Sequence, residues 1–309
     1  MSADTPPGRA AARLALADVE RVPGAAKPDP ILSAQDVTRA FGGMTAVDVD
    51  RLEVQRGAIT ALIGPNGAGK TTLFNLLTGF DRPDSGTWSF EGRSLARVPA
   101  AKVAQAGMVR TFQLTKALSR MTVLENMRLG ATDQGGENLF VALAPALWRK
   151  REAQITEQAL ELLERFRLLE KKDDFAGSLS GGQRKLLEMA RALMSKPTMV
   201  MLDEPMAGVN PALTQSLLGH IQALRDEGTT VLFVEHDMHM VRHISDWVVV
   251  MAEGRIVAEG PPESVMREQA VIDAYLGAHH DTDLGDDRLL EDDVTEQLEA
   301  EAQAEEEQR

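Results

Sequence analysis

Nine residues, Gly64-Pro65-Asn66-Gly67-Ala68-Gly69-Lys70-Thr71-Thr72, carry the most specific chemistry in the chain. They fit the P-loop pattern G-x-x-x-x-G-K-[ST]. Glycines let a backbone close around an anion with its N–H groups turned inward and no side chain in the way. Lys70 then offers a long cation for β- and γ-phosphates, and the Thr71 hydroxyl offers a ligand for Mg²⁺. Such a loop works only between a strand and a helix N-terminus. Ahead of it, Ala58–Ile63 is apolar and partly β-branched and reads as a buried strand. Behind it, Leu73, Phe74, Leu76 and Leu77 recur at helical spacing, with Gly79 placed to end the helix. That helix adds unpaired N–H groups and the positive end of its dipole.

Further along, Met199-Val200-Met201-Leu202 runs into Asp203-Glu204, a buried strand with two carboxylates at its C-terminal end. Open α/β sheets place ligands there. With a P-loop upstream, Asp203 reads as the acid that holds Mg²⁺ through water, and Glu204 as the base that polarises an attacking water. Thr230–Val234 is a similar strand and ends at Glu235-His236-Asp237, where His236 is either structural or a contact for the γ-phosphate. Leu179-Ser180-Gly181-Gly182-Gln183 precedes a strongly periodic helix. Ser180 and Gln183 fit a capping box, and the same glycine-rich N-terminus fits a phosphate; the two uses compete for one set of donors. Gln113 ends a strand read at Met108–Gln113 and is either a solvated loop amide or a contact for Mg²⁺ or water. Phe41, in an early strand-rich region, is either core or a platform for an adenine ring.

The elements that must hold these residues follow in order. Residues 1–30 are rich in Ala and Pro and read as a flexible lead-in, with a short helix over Arg13–Val22. Ile31–Val37 and Ala46–Val54 read as strands, Pro83–Gly86 as a turn and Thr87–Phe90 as another strand. Residues from 114 to about 178 form the most helical part. Val123, Leu124 and Met127 mark one helix there, and Ile155, Ala159, Leu162, Leu163 and Phe166 a longer one. Between them Leu139–Trp148 is apolar and reads as a packed loop or a contact face. Asn210-Pro211 caps a helix over Ala212–Arg225. Trp247–Met251 and Arg255–Glu259 read as a hairpin, and Pro261–Gly277 as a turn and a helix.

Composition narrows the classes. There is no cysteine, which excludes a disulfide framework, a thiolate metal site and a cysteine nucleophile. No apolar run reaches the roughly 18 residues of a membrane helix, and the start lacks the apolar core of a signal peptide. The formal charge of −14 is concentrated at one end: residues 281–309 hold thirteen acids against two bases. That tail reads as disordered, and the remaining chain carries no broad basic footprint for nucleic acid.

Taken in order, the P-loop, Gln113, Leu179–Gln183, Asp203-Glu204 and His236 resemble the ATP-binding-cassette (ABC) ATPases over roughly Ile31 to Gly277. A narrower likeness lies in Arg110–Gln113, Thr122–Asn126, Glu204–Pro211, Glu235–Met238 and Ala274–Gly277. These look like the LivG-type subunits of branched-chain amino acid importers, a group to which Asn210 in the D-loop is itself similar. The resemblance implies an α/β fold: a P-loop NTPase (RecA-like) core with an antiparallel β subdomain and an α-helical subdomain. The cassette would occupy 31–280, with the helical subdomain at about 114–178, between an N-terminal extension (1–30) and the acidic tail (281–309).

The resemblance also implies ATP and Mg²⁺ as ligands. It makes Phe41 the adenine stacker, Gln113 the sensor of Mg²⁺ and of a membrane partner, and Ser180–Gln183 the signature that binds the γ-phosphate held by the other subunit. Glu204 is then the general base and His236 the switch histidine. The partners implied are integral membrane permease subunits, a second ATPase subunit (the same chain or a close relative) and, indirectly, a solute-binding protein. The implied place is the cytoplasmic face of the cell membrane. Alternatives of the same chemistry are an exporter-type cassette, similar to those of lipopolysaccharide export, or a soluble non-transport ABC ATPase.

Overall fold

Three five-residue runs, apolar or β-branched except for the Asp203 that ends one of them, set the architecture. Ile59–Ile63 (β3), Met199–Asp203 (β7) and Thr230–Val234 (β8) are buried at every position. Strands with no polar alternation must be covered on both faces, as in a parallel α/β sheet. The computed structural model, which describes residues 8–95, 97–111, 119–131 and 145–279, shows this sheet. Its order is β10-β9-β3-β8-β7-β6, with β6 at Met108–Arg110, β9 at Trp247–Ala252 and β10 at Arg255–Gly260. The pairs β6/β7, β7/β8, β3/β8 and β3/β9 are parallel, and β10 is antiparallel to β9. The C-terminal ends of β3, β7 and β8 therefore share one edge, which collects the P-loop, Asp203-Glu204 and Glu235-His236.

A second sheet is antiparallel, in the order β2-β1-β4-β5, from Pro30–Phe41 (β1), Met44–Gln55 (β2), Ser85–Phe90 (β4) and Arg93–Ser94 (β5). Gly42 and Gly43, both at positive φ, turn β1 into β2. The helices are Arg9–Leu16 (α1), Lys70–Leu77 (α2), Ala100–Gln105 (α3), Val123–Leu129 (α4) and Pro145–Arg165 (α5). They continue with Gly181–Leu193 (α6), Pro211–Asp226 (α7), Met238–Ile244 (α8), Pro262–Val265 (α9) and Gln269–His279 (α10). Two cores result. One joins the antiparallel sheet to α2 through Ile31, Leu52, Trp88, Phe90, Leu73 and Phe74. The other joins α5 to α6 and the parallel sheet through Ala159, Leu163, Phe166, Leu187, Ala190 and Leu202.

Helix starts follow local chemistry. Thr122 accepts from the Glu125 N–H while the Glu125 carboxylate accepts from the Thr122 N–H, which closes a capping box on α4. Asn210 caps α7 by accepting from Leu213, with Pro211 in the first turn. The strand expected at Met108–Gln113 is shorter, ending at Arg110; Phe112 and Gln113 lie outside the described residues. Most of the Leu139–Trp148 segment and the acidic tail lie outside them too, although Pro145 already begins α5.

The lead-in departs most from expectation. Its helix is Arg9–Leu16 rather than Arg13–Val22, and residues 8–30 are packed rather than loose, with Ala12, Leu16, Ala25 and Lys27 buried. Lys27 donates to Glu259 at 2.8 Å, and the two side chains are each 1% exposed. Trp247 Nε1 donates to the same carboxylate at 2.8 Å, and the Ala25 N–H donates to its other oxygen. The Lys27 ammonium also lies 4.8 Å from the Trp247 ring centre. A composition poor in large apolar residues suggests disorder, but here a buried charge pair on β10 supplies the anchor instead.

Candidate nucleotide site

The P-loop backbone takes shapes that only glycine tolerates at its two crowded points. A Cβ on Gly64 would collide with the Met251 carbonyl, and one on Gly69 with the Ala46 carbonyl; both residues sit at positive φ. The loop is thus wedged between β9 and β2. Gly69 begins α2 with no side-chain cap, so the helix's first N–H groups stay free for an anion. Lys70 is the first residue of α2, with Thr71 and Thr72 next. The Lys70 ammonium donates to the carbonyls of Gly64 (2.6 Å) and Pro65 (2.9 Å). Burial lowers its pKa from the ordinary lysine value, and the charges of Glu204 and Asp203 pull it back up. Both carboxylates are therefore electrostatic neighbours of the loop, as a phosphate and cation site requires.

At the end of β7, Asp203 pairs with Arg110 on β6: Nη2 to Oδ2 is 2.6 Å, with side chains 7% and 9% exposed. Arg110 Nη1 also donates to Asn75 Oδ1 on α2 at 2.6 Å. Glu204 follows with φ 45°, a left-handed conformation that costs a non-glycine residue roughly 1–3 kcal/mol. Its backbone is held from both sides: its N–H donates to the Val234 carbonyl at 3.0 Å, and its carbonyl accepts from Lys185 Nζ at 3.1 Å.

Glu235, at the end of β8, is buried. Its Oε1 accepts from the Met206 N–H at 3.0 Å and its Oε2 from the His236 N–H at 3.3 Å. Burial pushes the Glu235 carboxyl up, and the two N–H donors pull it down. His236 is 67% exposed, with Nδ1 3.8 Å from Glu235 Oε2. Its side chain is thus open to solvent at the C-terminal end of β8.

The remaining predicted residues fall into two groups. Phe41 is 50% exposed, so it is not core, and the Arg39 guanidinium lies 4.6 Å from its ring centre. Its hairpin continues into Ala46, whose carbonyl abuts Gly69 in the P-loop. Ser180 and Gln183 close a complete capping box: Gln183 N–H to Ser180 Oγ is 3.2 Å and Ser180 N–H to Gln183 Oε1 is 3.0 Å. Gly182 is packed against Leu213, and Gly181 faces open space. Among the described residues no hydrogen bond joins this box to the P-loop or to Asp203. Gln113 is outside the described residues.

Sequence reasoning assigned no role to Asn75, Arg110 or Glu235. Arg110 had a signal of its own, a cation inside a short strand three residues before Gln113. The donors present suit Mg²⁺ brought in with phosphates. Thr71 and Asp203 supply hard oxygen, and among the described residues no cluster of three or more His or acidic side chains forms a self-sufficient cage. Magnesium usually takes one or two protein oxygens and completes its shell with phosphates and water.

The model of the ABC transporter family matches residues 47–207, and that of the branched-chain amino acid ATP-binding cassette transporter matches residues 255–281. A probable branched-chain amino acid transport ATP-binding protein LivG from Archaeoglobus fulgidus is 41% identical over 248 residues, which is 80% of this chain and 96% of that protein. The high-affinity branched-chain amino acid transport ATP-binding protein BraF of Pseudomonas aeruginosa is 42% identical over 80% of this chain and 98% of its own length. Among solved structures, a nucleotide-free ATP-binding cassette from an ABC transporter superposes with a TM-score of 0.70 at 38% identity, covering 80% of this chain and 98% of its own. The ADP conformation of such a cassette gives 0.69 at 37%, covering 80% and 99%.

Proposed function

This chain belongs to the ABC transporter family of ATP-binding cassettes, and on that premise we propose that it is the ATP-hydrolysing motor subunit of an importer for branched-chain amino acids or a related small solute. One observation carries the reading: the C-terminal ends of β3, β7 and β8 bring the P-loop, Asp203-Glu204 and His236 to one edge of the sheet. The module at residues 255–281 supports the importer branch over an exporter or a non-transport cassette.

The site residues act as follows. Gly64–Gly69 and the N-terminus of α2 wrap the phosphates, and Phe41 stacks on the base. Lys70 leaves its two loop carbonyls for the β- and γ-phosphate oxygens, exchanging neutral acceptors for charged ones. Thr71 and Asp203, with Gln113, would hold Mg²⁺, which when bound would neutralise phosphate charge. Glu204 takes a proton from a water whose oxygen bonds to the γ-phosphorus; the bond from that phosphorus to the β–γ bridging oxygen breaks, releasing ADP and phosphate. His236 contacts the γ-phosphate from the same edge. Ser180–Gln183 serve the nucleotide of a second cassette, since they form a separate cluster in their own chain.

ATP then bridges two subunits, and loss of its γ-phosphate removes the contact that favours the closed dimer. No helix among the described residues is long and apolar enough to cross a membrane. In this reading integral permease subunits carry the solute, with the cassette on their cytoplasmic face. A solute-binding protein acts through those permeases, and no nucleic acid takes part. The cassette unit spans 31–280 with its helical subdomain at about 114–178.

Glu204→Gln tests the shared site. It removes the base but keeps the shape, so phosphate release should fall by about 10²–10⁴-fold while ATP still binds. Light scattering should then show an ATP-dependent dimer. A variant that stays monomeric at saturating ATP would refute the two-subunit site.

A further inference from the structure

Arg110 has no part in holding phosphate or water, yet it makes a close ion pair at the site, 2.6 Å to Asp203. Two elements converge on its guanidinium. Nη2 donates to Asp203 Oδ2 at the end of β7 (2.6 Å), and Nη1 donates to Asn75 Oδ1 on α2 (2.6 Å). The plane also lies 5.5 Å from the centre of the Phe74 ring, again on α2. The next residue's N–H, that of Thr111, donates to the Met201 carbonyl at 3.0 Å and keeps β6 in register with β7. Among the described residues the Asp203 carboxylate takes this one side-chain hydrogen bond, at Oδ2, which leaves Oδ1 for a further ligand.

We propose that Arg110 is a positioning residue for the metal: it holds Asp203 by one oxygen, ties it to the P-loop helix through Asn75, and thereby aims the other oxygen at the cation. This rests on the reading of Asp203 as the metal-side carboxylate. A carboxylate at a strand end rotates about two bonds, and a cation held through its water needs one orientation. Partners of this kind tune metal affinity as strongly as many ligands do. The planar guanidinium spans two acceptors on different elements, a geometry that the ammonium of lysine does not reproduce. The same fork keeps α2, which presents Thr71, in fixed relation to β7, which presents Asp203. The elements that carry Thr71 and Asp203 are thus tied to each other before the cation arrives.

A buried ion pair with only a structural role would move stability and every binding constant together. Mn²⁺ in place of Mg²⁺ separates the cases, because its binding is read by electron paramagnetic resonance in the presence of ADP, with no turnover. Arg110→Gln should weaken Mn²⁺ binding by about ten-fold or more, with ADP affinity in EDTA unchanged. Arg110→Lys should restore little of that loss. Asn75→Ala keeps the ion pair, and so the fold, and should give a smaller loss in the same direction; it carries the test if Arg110→Gln does not fold. Unchanged Mn²⁺ affinity in Asn75→Ala and Arg110→Gln would overturn the proposal, as would an equal loss of Mn²⁺ and metal-free ADP binding. Asp203→Asn distinguishes the layers: if it retains Mn²⁺ affinity, the metal-side reading of Asp203 fails and takes the proposal with it. If it loses affinity while Arg110→Gln does not, only the role of Arg110 fails.

Discussion

Two buried ion pairs sit at opposite functional poles of this molecule. Lys27–Glu259 is closed on all sides: the carboxylate takes bonds from Lys27, Trp247 and Ala25, and the Lys27 ammonium also donates to the Ala25 carbonyl at 2.8 Å. Arg110–Asp203 is nearly as buried, but one carboxylate oxygen is left over at the edge where the P-loop lies. Burying charge costs several kcal/mol per ion unless every lone pair and proton finds a partner. The first pair meets that condition within the chain and so fastens an element. The second meets it in part, which is the state of a group waiting to share in binding. Saturation, more than depth of burial, is what distinguishes the two pairs.

The largest effect that sharpens this contrast is on the closed pair. Lys27→Met strands the Glu259 carboxylate and should cost about 3–5 kcal/mol in urea unfolding, with ATP turnover per folded molecule unchanged. A selective loss of turnover would show that the strap also shapes the site, and the contrast would fail. Arg110→Gln should do the reverse, moving metal affinity more than the unfolding midpoint.

The capping box at Ser180 and Gln183 is an intermediate case, complete but exposed. Ser180→Ala should cost about 1 kcal/mol in thermal or urea unfolding, because water replaces the lost acceptor. A cost as large as that of Lys27→Met would mean that completeness matters and exposure does not. Smallest is Tyr275→Phe on α10. The Tyr275 hydroxyl is buried beside the Gly64 backbone but makes no hydrogen bond of normal geometry, so its removal should change stability at neutral pH by less than about 0.5 kcal/mol.

The same variant has a signature in alkali. Burial pushes the Tyr275 phenol up from 10.0 to about 12, which the nearby Gly64 backbone only partly offsets. The folded state therefore keeps a proton that the unfolded state has lost between pH 10.0 and about 12. Wild-type stability should fall through that window relative to Tyr275→Phe. Parallel unfolding curves for the two proteins at neutral and alkaline pH would show it.

Much of the site was readable because its chemistry is local. The P-loop is a run of backbone conformations followed at once by a helix N-terminus, and both are written in consecutive residues. The acids of β7 and the histidine after β8 are likewise announced by the apolar strands that deliver them. The capping boxes at Thr122 and Ser180 need partners only three residues away. Phe41 is different: the exposure that keeps it out of the core is encoded in no local pattern.

The amino-acid sequence by itself determined the nucleotide chemistry, the run of buried strands and the helix starts, because each depends on neighbours within a turn or a strand. Only the tertiary structure decided that residues 8–30 are fastened to the core, since Lys27 meets Glu259 across 232 residues of chain. Only it decided that Arg110 grips Asp203, 93 residues away, and that Glu235 holds the turn after Glu204 through Met206. The reason is physical. A charged residue reads as surface until folding removes its water, and which partner then replaces that water depends on how distant strands are ordered in the sheet.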